Sequence, residues 1–277
     1  MRNLRGIRGE MLTTTLAEEI LTPGEGQVRA LIVSGGNPVV AWPDQELTLK
    51  AMKDLELLVV IDHRMSSTAE FAHYVVAPTL SLERADIPHL MDRWFRAPYT
   101  NYTDAITERE GDVLNEWEVF WELAKRMGTT LPFAGGQTPM DERPTDDQMI
   151  DLAYAGSRMP MDEVRANRRK VHPDKIMTVS AADPDCTAKF TVAPDDIVAE
   201  MKEIVVEGDG AAALGIDPSL YPFRLVSRRL KHVLNSYGSD LSVLGAKGSS
   251  NSAYMNPDDM KDHDLVDGDL IEIFSPR

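Results

Sequence analysis

RALIVSGGNPVVAWPD, residues 29–44, followed by LELLVVID, residues 55–62, is the stretch that decides the fold. The apolar run Ala30 to Val33 ends in Gly35-Gly36-Asn37-Pro38, and the next apolar run, Leu57 to Ile61, ends in Asp62. Between them Pro43 and Asp44 open a helix whose apolar residues Leu47, Ala51 and Leu55 recur at every fourth position. Two continuously apolar strands joined by a crossover helix are the pattern of a parallel sheet covered on both faces. Glycines at a strand's carboxyl end let the backbone approach a ligand, and an acidic residue ending the neighbouring strand can bind ribose or base. The layout is that of a nucleotide site.

Upstream, LTTTLAEEI (12–20) reads as a short amphipathic helix, broken by TPGEG (22–26). Downstream, Ser66 or Ser67 is placed to cap a helix TAEFAHY, and YVVAP (74–78) reads as a third strand. Short connections in such a βαβαβ series predict a parallel sheet. From Leu80 to Asp112 the periodicity fades, although Trp94, Phe95, Tyr99 and Tyr102 keep the segment aromatic. Asn115 and Glu118 have capping-box spacing and open a helix that Gly128 ends. Its stripe of Trp117, Phe120, Trp121, Ala124 and Met127 reads as core packing. Between 132 and 215, proline-rich turns alternate with helical stretches at 146–155 and 195–206. The basic cluster Arg165 to Lys170 reads as a solvated helix end, with an anion contact as the alternative. From Tyr221 onward FRLVS, LSVL and DGDLIEIFS read as strands. The expected fold is α/β: an αβα parallel-sheet nucleotide-binding domain in 1–220, then the start of a β-barrel in 221–277, both incomplete.

Composition narrows the partners. A chain of 277 residues with 43% hydrophobic content can bury a sizeable core, and its net charge of −16 argues against a nucleic-acid partner. No run approaches the roughly 18 apolar residues of a membrane span. Met1-Arg2-Asn3-Leu4 opens no signal peptide, so a cytoplasmic location is expected. Cys186 is the single cysteine, so neither a Cys-ligated iron–sulfur cluster, a Cys-rich zinc site nor an internal disulfide can be built from this chain. The 14 methionines read as fillers of core gaps.

Taken together, three ordered segments resemble the bis-molybdopterin-guanine-dinucleotide oxidoreductases, of the dimethyl-sulfoxide-reductase and formate-dehydrogenase type. The first is GEGQVRALIVSGGNPVVAWPD with LELLVVIDHRMSSTAEFAHYVVAPTLSLE. Family members show a similar Gly-x-Asn-Pro strand end, a strand ending in Asp, a Thr-Ala helix and an Ala-Asp-x-Val-Leu-Pro strand; His73 stands here where Asp is usual. The second is NEWEVFWELAKRMG, and the third is FRLVSRRLKHVLNSYG with NPDDMKDHDLVDGDLIEIFSPR, similar to the opening of the family's dinucleotide-binding barrel.

The resemblance implies that Gly35, Gly36, Asn37 and Pro38 form the loop beside the guanosine of one dinucleotide and that Asp62 accepts from guanine N–H groups. Ser66 and Thr68 would reach phosphate or base. Read from the residues alone, the glycine loop is more simply an ordinary tight turn, a helix cap in the following loop is the alternative for Asp62, and Ser66 and Thr68 are equally caps. Ser227, Arg228, Arg229, His232, Asn235 and Ser236 occupy the segment that in relatives runs over pterin and pyrophosphate; a basic surface strand is the alternative. Asn256 and Asp258 lie in an Asn-Pro-x-Asp turn, where such residues more often fix the turn than touch a ligand.

In this family the metal ligand, most catalytic residues and any [4Fe–4S] cysteines lie upstream of such a segment. The resemblance therefore implies a carboxyl-terminal portion of a molybdenum or tungsten enzyme, with no catalytic or metal-binding residue of its own and no turnover alone. Its partners would be the bis-molybdopterin guanine dinucleotide cofactor and the missing amino-terminal part of the same enzyme, or electron-transfer subunits. Two rival classes are a stand-alone guanine-nucleotide-binding module and a degenerate interaction subunit.

Overall fold

The two apolar runs become β1 (Ala30–Ser34) and β2 (Leu57–Ile61), parallel neighbours with Ser34 opposite Ile61. β3 (Tyr74–Val76) pairs in parallel on the other side of β2, giving a three-stranded sheet in the order β1-β2-β3. A computed structural model of the chain describes residues 10–88, 99–157, 159–167, 169–171, 183–189, 191–207, 215–231, 238, 241 and 252–275. The chain divides into two compact units, Met1–Ala181 and Ala182–Arg277; the sequence-based boundary at 220/221 falls within the second.

One face of the sheet carries the first unit's main core. Val33, Leu58 and Val60 pack there with Ala17 and Ile20 of α1 (Leu16–Leu21), and with Ala51 and Met52 of α3 (Gln45–Asp54). Val39 of α2 (Pro38–Ala41) and Ala69 join the same cluster. The Asp44 carboxylate caps α3 by accepting from Leu47 N at 3.1 Å. The opposite face is another matter. Parallel partners lie on the same side, so Ala30, Ile32, Leu57, Val59 and Tyr74 share that face, and Ile32, Leu57 and Tyr74 are exposed. Two covered faces were expected; among the described residues the second is covered only toward its carboxyl end, where Ile61 on the same face is fully buried.

Between β2 and β3 the expected helix over TAEFAHY is a single 3-10 turn, Ala69–Phe71. The irregular segment before residue 112 contributes β4 (Tyr99–Asn101), paired antiparallel to β7 (Arg169–Val171). Trp94, Phe95 and the side chain of Tyr99 lie outside the described residues. Tyr102 is buried with Ile87, Met159, Met161 and Val164 in a second small cluster. Two further strands, β5 (Pro132–Phe133) and β6 (Gly136–Gln137), form a short hairpin.

α4 (Glu116–Met127) has the expected capping box, with Asn115 N donating to Glu118 Oε2 at 2.6 Å, and ends at Gly128 in the left-handed region. Its buried face differs from the expected stripe. Glu118, Val119, Trp121 and Ala124 are buried, whereas Phe120 and Met127 are exposed. Glu118 goes inward because Arg109 and Arg143 meet it at 2.8 and 3.7 Å. The ion network continues through Arg109 to Asp146 at the start of α5 (Asp146–Ala153). Arg165, on α6 (Met161–Ala166), is not a merely solvated charge: its guanidinium lies 5.5 Å from the Tyr102 ring centre and pairs with Asp147 and Asp151.

The second unit shows α7 (Asp195–Glu207) and a short helix, Pro257–Asp262. Ring contacts join Tyr221 to Phe274 at 5.8 Å and Phe223 to His263 at 5.2 Å. The sequence predicted strands at FRLVS and DGDLIEIFS, but among the described residues of this unit there is no β-ladder. Leu225, Val226 and Leu270 stand exposed, and an alternating segment becomes a strand only when a neighbour takes its backbone groups.

Candidate functional site at the carboxyl edge of the sheet

Where β1 ends, Gly35 takes φ +62° and its N–H donates to Ile61 O at 3.0 Å, closing the β1–β2 ladder while the chain turns away. A side chain at that φ would be strained, which is the physical use of glycine here. Asn37 then shapes the loop. Its Oδ1 accepts from Thr68 N at 3.2 Å and from the Thr68 hydroxyl at 2.7 Å, and the Thr68 oxygen in turn accepts from Val39 N at 3.1 Å. Thr68 is fully buried, so its hydroxyl faces Asn37 and Val39 rather than solvent. Pro38 occupies the first turn of α2, where its missing N–H costs nothing.

Asp62 stands at the matching position on β2. Its N–H donates to Val76 O at 3.1 Å, and its Oδ1 accepts from Arg64 N at 3.1 Å. That bond orients the carboxylate, and among the described residues nothing bonds to Oδ2. Ser66 serves the following turn, accepting from Ala69 N at 3.4 Å. Gly35-Gly36 and Asp62 thus lie at the carboxyl ends of adjacent parallel strands, the edge at which open α/β sheets bind ligands.

The sequence reading missed Glu116. Its Oε1 accepts from Ser34 Oγ at 3.2 Å, and a Cβ added at Gly35 would lie 3.9 Å from the same oxygen. α4 arrives at the sheet because Leu114 bridges to Pro78 in parallel, with Thr79 N donating to Leu114 O at 3.1 Å. The signal was present as an acid in the first turn of a capped helix, but nothing local says that the helix begins beside β1. Asn115 is buried and occupied: its Nδ2 donates to Asp146 at 2.9 Å, and its Oδ1 accepts from Glu116 N and Arg84. Thr79 is buried too, with a hydroxyl that has no hydrogen-bond partner among the described residues.

His73, where the family's usual residue is Asp, closes the start of β2. Its N–H donates to Leu58 O and its Nδ1 accepts from Leu58 N, both at 2.9 Å. An aspartate would offer the same acceptor, so the exchange keeps the backbone bond.

Three titrating groups described in the first unit, Tyr102, Glu122 and Arg165, depart from their ordinary values, all away from this edge. Burial, reinforced by its bond to Asp147 at 2.8 Å, pushes the Tyr102 phenol up to about 12. Arg143 and then Arg126 hold the Glu122 carboxyl below its usual range.

In the second unit Ser227, Arg228 and Arg229 are exposed, and the Arg228 guanidinium lies 4.0 Å from the Tyr254 ring centre. Asn256 caps the helix at Pro257 through a bond from Asp258 N at 2.9 Å, and Asp258 pairs with Lys261 at 3.4 Å. His232, Asn235 and Ser236 lie outside the described residues. Among the described residues no group of three His, Cys, Asp or Glu side chains could hold a metal ion, and Cys186 is an exposed free thiol. No described helix is long and apolar enough to cross a membrane.

Residues 9–126, which contain the sheet and most of α4, match the sequence profile of the molybdopterin oxidoreductases. This segment belongs to the molybdopterin oxidoreductase family. Among curated relatives, the probable oxidoreductase YyaE of Bacillus subtilis is 31% identical over 114 residues, which cover 41% of this chain and 17% of that protein. The dimethyl sulfoxide/trimethylamine N-oxide reductase of Cereibacter sphaeroides is 26% identical over 268 residues, 88% of this chain and 32% of the reductase. The chain therefore spans at most about a third of the length of these two relatives. Among solved structures, acetylene hydratase from Pelobacter acetylenicus has a similar fold, with a TM-score of 0.62 at 18% identity over 92% of this chain and 35% of the hydratase.

Proposed function

We propose that the chain is part of a molybdenum or tungsten oxidoreductase and binds the guanosine and pterin parts of a bis-molybdopterin guanine dinucleotide cofactor. The observation that carries this reading is the shared edge of Gly35-Gly36 and Asp62 at the carboxyl ends of β1 and β2. The donor set fits the nucleoside end of such a cofactor. Guanine presents N–H donors, and Asp62 offers a carboxylate oriented by Arg64 N with its second oxygen open. Gly35 leaves the approach free of a side chain, while Asn37 and Thr68, bonded to each other, hold the loop in place. Ser227, Arg228 and Arg229 would meet the pterin and pyrophosphate, where guanidinium groups offset phosphate charge in an otherwise acidic chain. When bound, the cofactor supplies a metal for two-electron oxidoreduction; this chain's residues bind and orient it.

The test is a calorimetric titration of the full chain with GDP, with ADP as the control. Binding of GDP in preference to ADP supports the reading. Equal binding of the two, or no heat from GDP at millimolar concentration, would sink it.

A further inference from the structure

A carboxylate such as Asp62 can read only one edge of a base, and a purine bound there would leave its ring faces open to water. The loop that Asp62 begins carries one side chain suited to such a face. From Asp62 to Thr68 the residues are Asp, His, Arg, Met, Ser, Ser and Thr, so Met65 is the only apolar one. It is 65% exposed and stands outside both buried clusters of the first unit. Lone surface hydrophobes are commonplace and need no explanation. What singles out Met65 is where it is held.

The loop is anchored on both sides of it. On one side the chain bends at His63 and Arg64, where Arg64 N donates to Asp62 Oδ1 at 3.1 Å. That Asx turn folds the backbone back beside Asp62. On the other side, Glu70 N donates to Ser66 O at 3.1 Å and Ala69 N to Ser66 Oγ at 3.4 Å. Thr68, three residues after Met65, is tied to Asn37 in the loop after β1. Met65 is thus fixed at its backbone on the edge of the candidate site while its side chain is left open to solvent.

Electrostatics point the same way. Asp62 and Glu116 place two carboxylates at this edge of a chain whose net charge is −16. Charge therefore does not draw a nucleotide here, and the nucleoside end has to be held by hydrogen bonds and by uncharged contact with the ring.

We infer that Met65 packs against the ring face of the purine whose edge Asp62 reads, so that two side chains of one loop divide the recognition between them. Asp62 meets the N–H donors that distinguish guanine from adenine. Met65 supplies affinity that every purine face shares. The thioether suits that task, because it is polarizable, unbranched and favourable against aromatic rings. This role rests on the reading of the edge as a guanosine site.

The test titrates the full chain, carrying 13C at its methionine methyl groups, with GDP. The Met65 methyl signal, assigned by its absence from Met65→Leu, should move upfield as the purine ring current reaches it. Met127 is the internal control: its helix begins at Glu116, but Met127 lies about 16 Å further along the axis, and its signal should stay in place. Calorimetry then compares GDP, ADP and inosine diphosphate, whose base keeps guanine's ring faces and lacks its exocyclic amino group. Met65→Ala should weaken GDP and inosine diphosphate alike, by about 3- to 10-fold, and keep the preference for GDP over ADP. Met65→Leu, close to methionine in volume, should stay within about twofold of wild type. GDP binding that leaves the Met65 signal unmoved, or equal GDP affinities for wild type and Met65→Ala, would overturn the role of Met65 and leave the cofactor reading standing. A loss confined to GDP would mean that Met65 acts by placing Asp62, and would overturn the ring contact as well. Absence of GDP binding by the wild-type chain would sink the cofactor reading and the role of Met65 together.

Discussion

Asn37 Oδ1 takes two hydrogen bonds from Thr68, one from the amide and one from the hydroxyl, across a separation of 31 residues. This pair ties the loop after β1 to the loop after β2, the two loops that flank the candidate site. Thr68→Val removes the hydroxyl and leaves the Val39 N–H without its acceptor. The expected loss is about 1–3 kcal/mol, the cost of a buried polar group left unpaired. Urea unfolding measures it, and Thr68→Ser should recover most of it. A Thr68→Val chain as stable as wild type would show that the pair holds nothing.

Asp62 offers a different kind of test, because it can be changed without disturbing the fold. Asn in its place keeps an oxygen for Arg64 N and loses only the charge. Asp62→Asn should therefore leave the unfolding midpoint in place and weaken GDP binding by about 1–3 kcal/mol, typical of a charge-assisted hydrogen bond. Equal GDP affinities for wild type and variant would remove Asp62 from the site.

The sheet was legible because its signals are local: apolar runs of strand length, a capped helix between them, and glycine and aspartate at the ends. The α4 capping box was legible for the same reason. Which face of α4 is buried was not, because Glu118 is drawn inward by Arg109 and Arg143, whose positions depend on the tertiary fold. Glu116 was missed on the same grounds, since its neighbour Ser34 is 82 residues away. The tail after Tyr221 carries strand periodicity without a ladder among its described residues, and periodicity says nothing about where a hydrogen-bonding neighbour comes from.

His73 should respond to substitution according to what its Nδ1 does. His73→Ala leaves the Leu58 N–H at the start of β2 without its side-chain acceptor and should cost about 1 kcal/mol. His73→Asp restores an acceptor and should be close to neutral at pH 7. Denaturant titration of the two variants decides it; equal losses would mean that the bond is not what the position selects.

Tyr102 gives the chain a window of alkaline sensitivity. Its phenol is raised from 10.0 to about 12 in the folded state, by burial first and then by its bond to Asp147. The folded chain therefore holds a proton that the unfolded chain has released, and stability falls as pH rises between those two values. Below pH 10 the contribution is fully present. A shift of this size corresponds to about 2–3 kcal/mol across the window. Tyr102→Phe should be less stable at neutral pH, having lost the bond to Asp147, and should lack this part of the alkaline decline. Parallel profiles for wild type and Tyr102→Phe between pH 9 and 12 would show that Tyr102 contributes nothing there.

The two faces of α4 provide the sharpest contrast. Trp121 is 2% exposed, and its indole N–H donates to Pro139 O at 2.8 Å. Removing it with Trp121→Ala opens a cavity and strands that carbonyl, so a loss of about 3–5 kcal/mol is expected. Met127 belongs to the same sequence stripe but is 77% exposed at the last turn of the helix. Lysine there would place a positive charge near the helix's negative end, so Met127→Lys should be neutral or stabilising by a few tenths of a kcal/mol. Thermal unfolding of both variants tests the placement. If Met127→Lys destabilised the chain as strongly as Trp121→Ala, the helix would be rotated, and the stripe read from the sequence would be its true buried face.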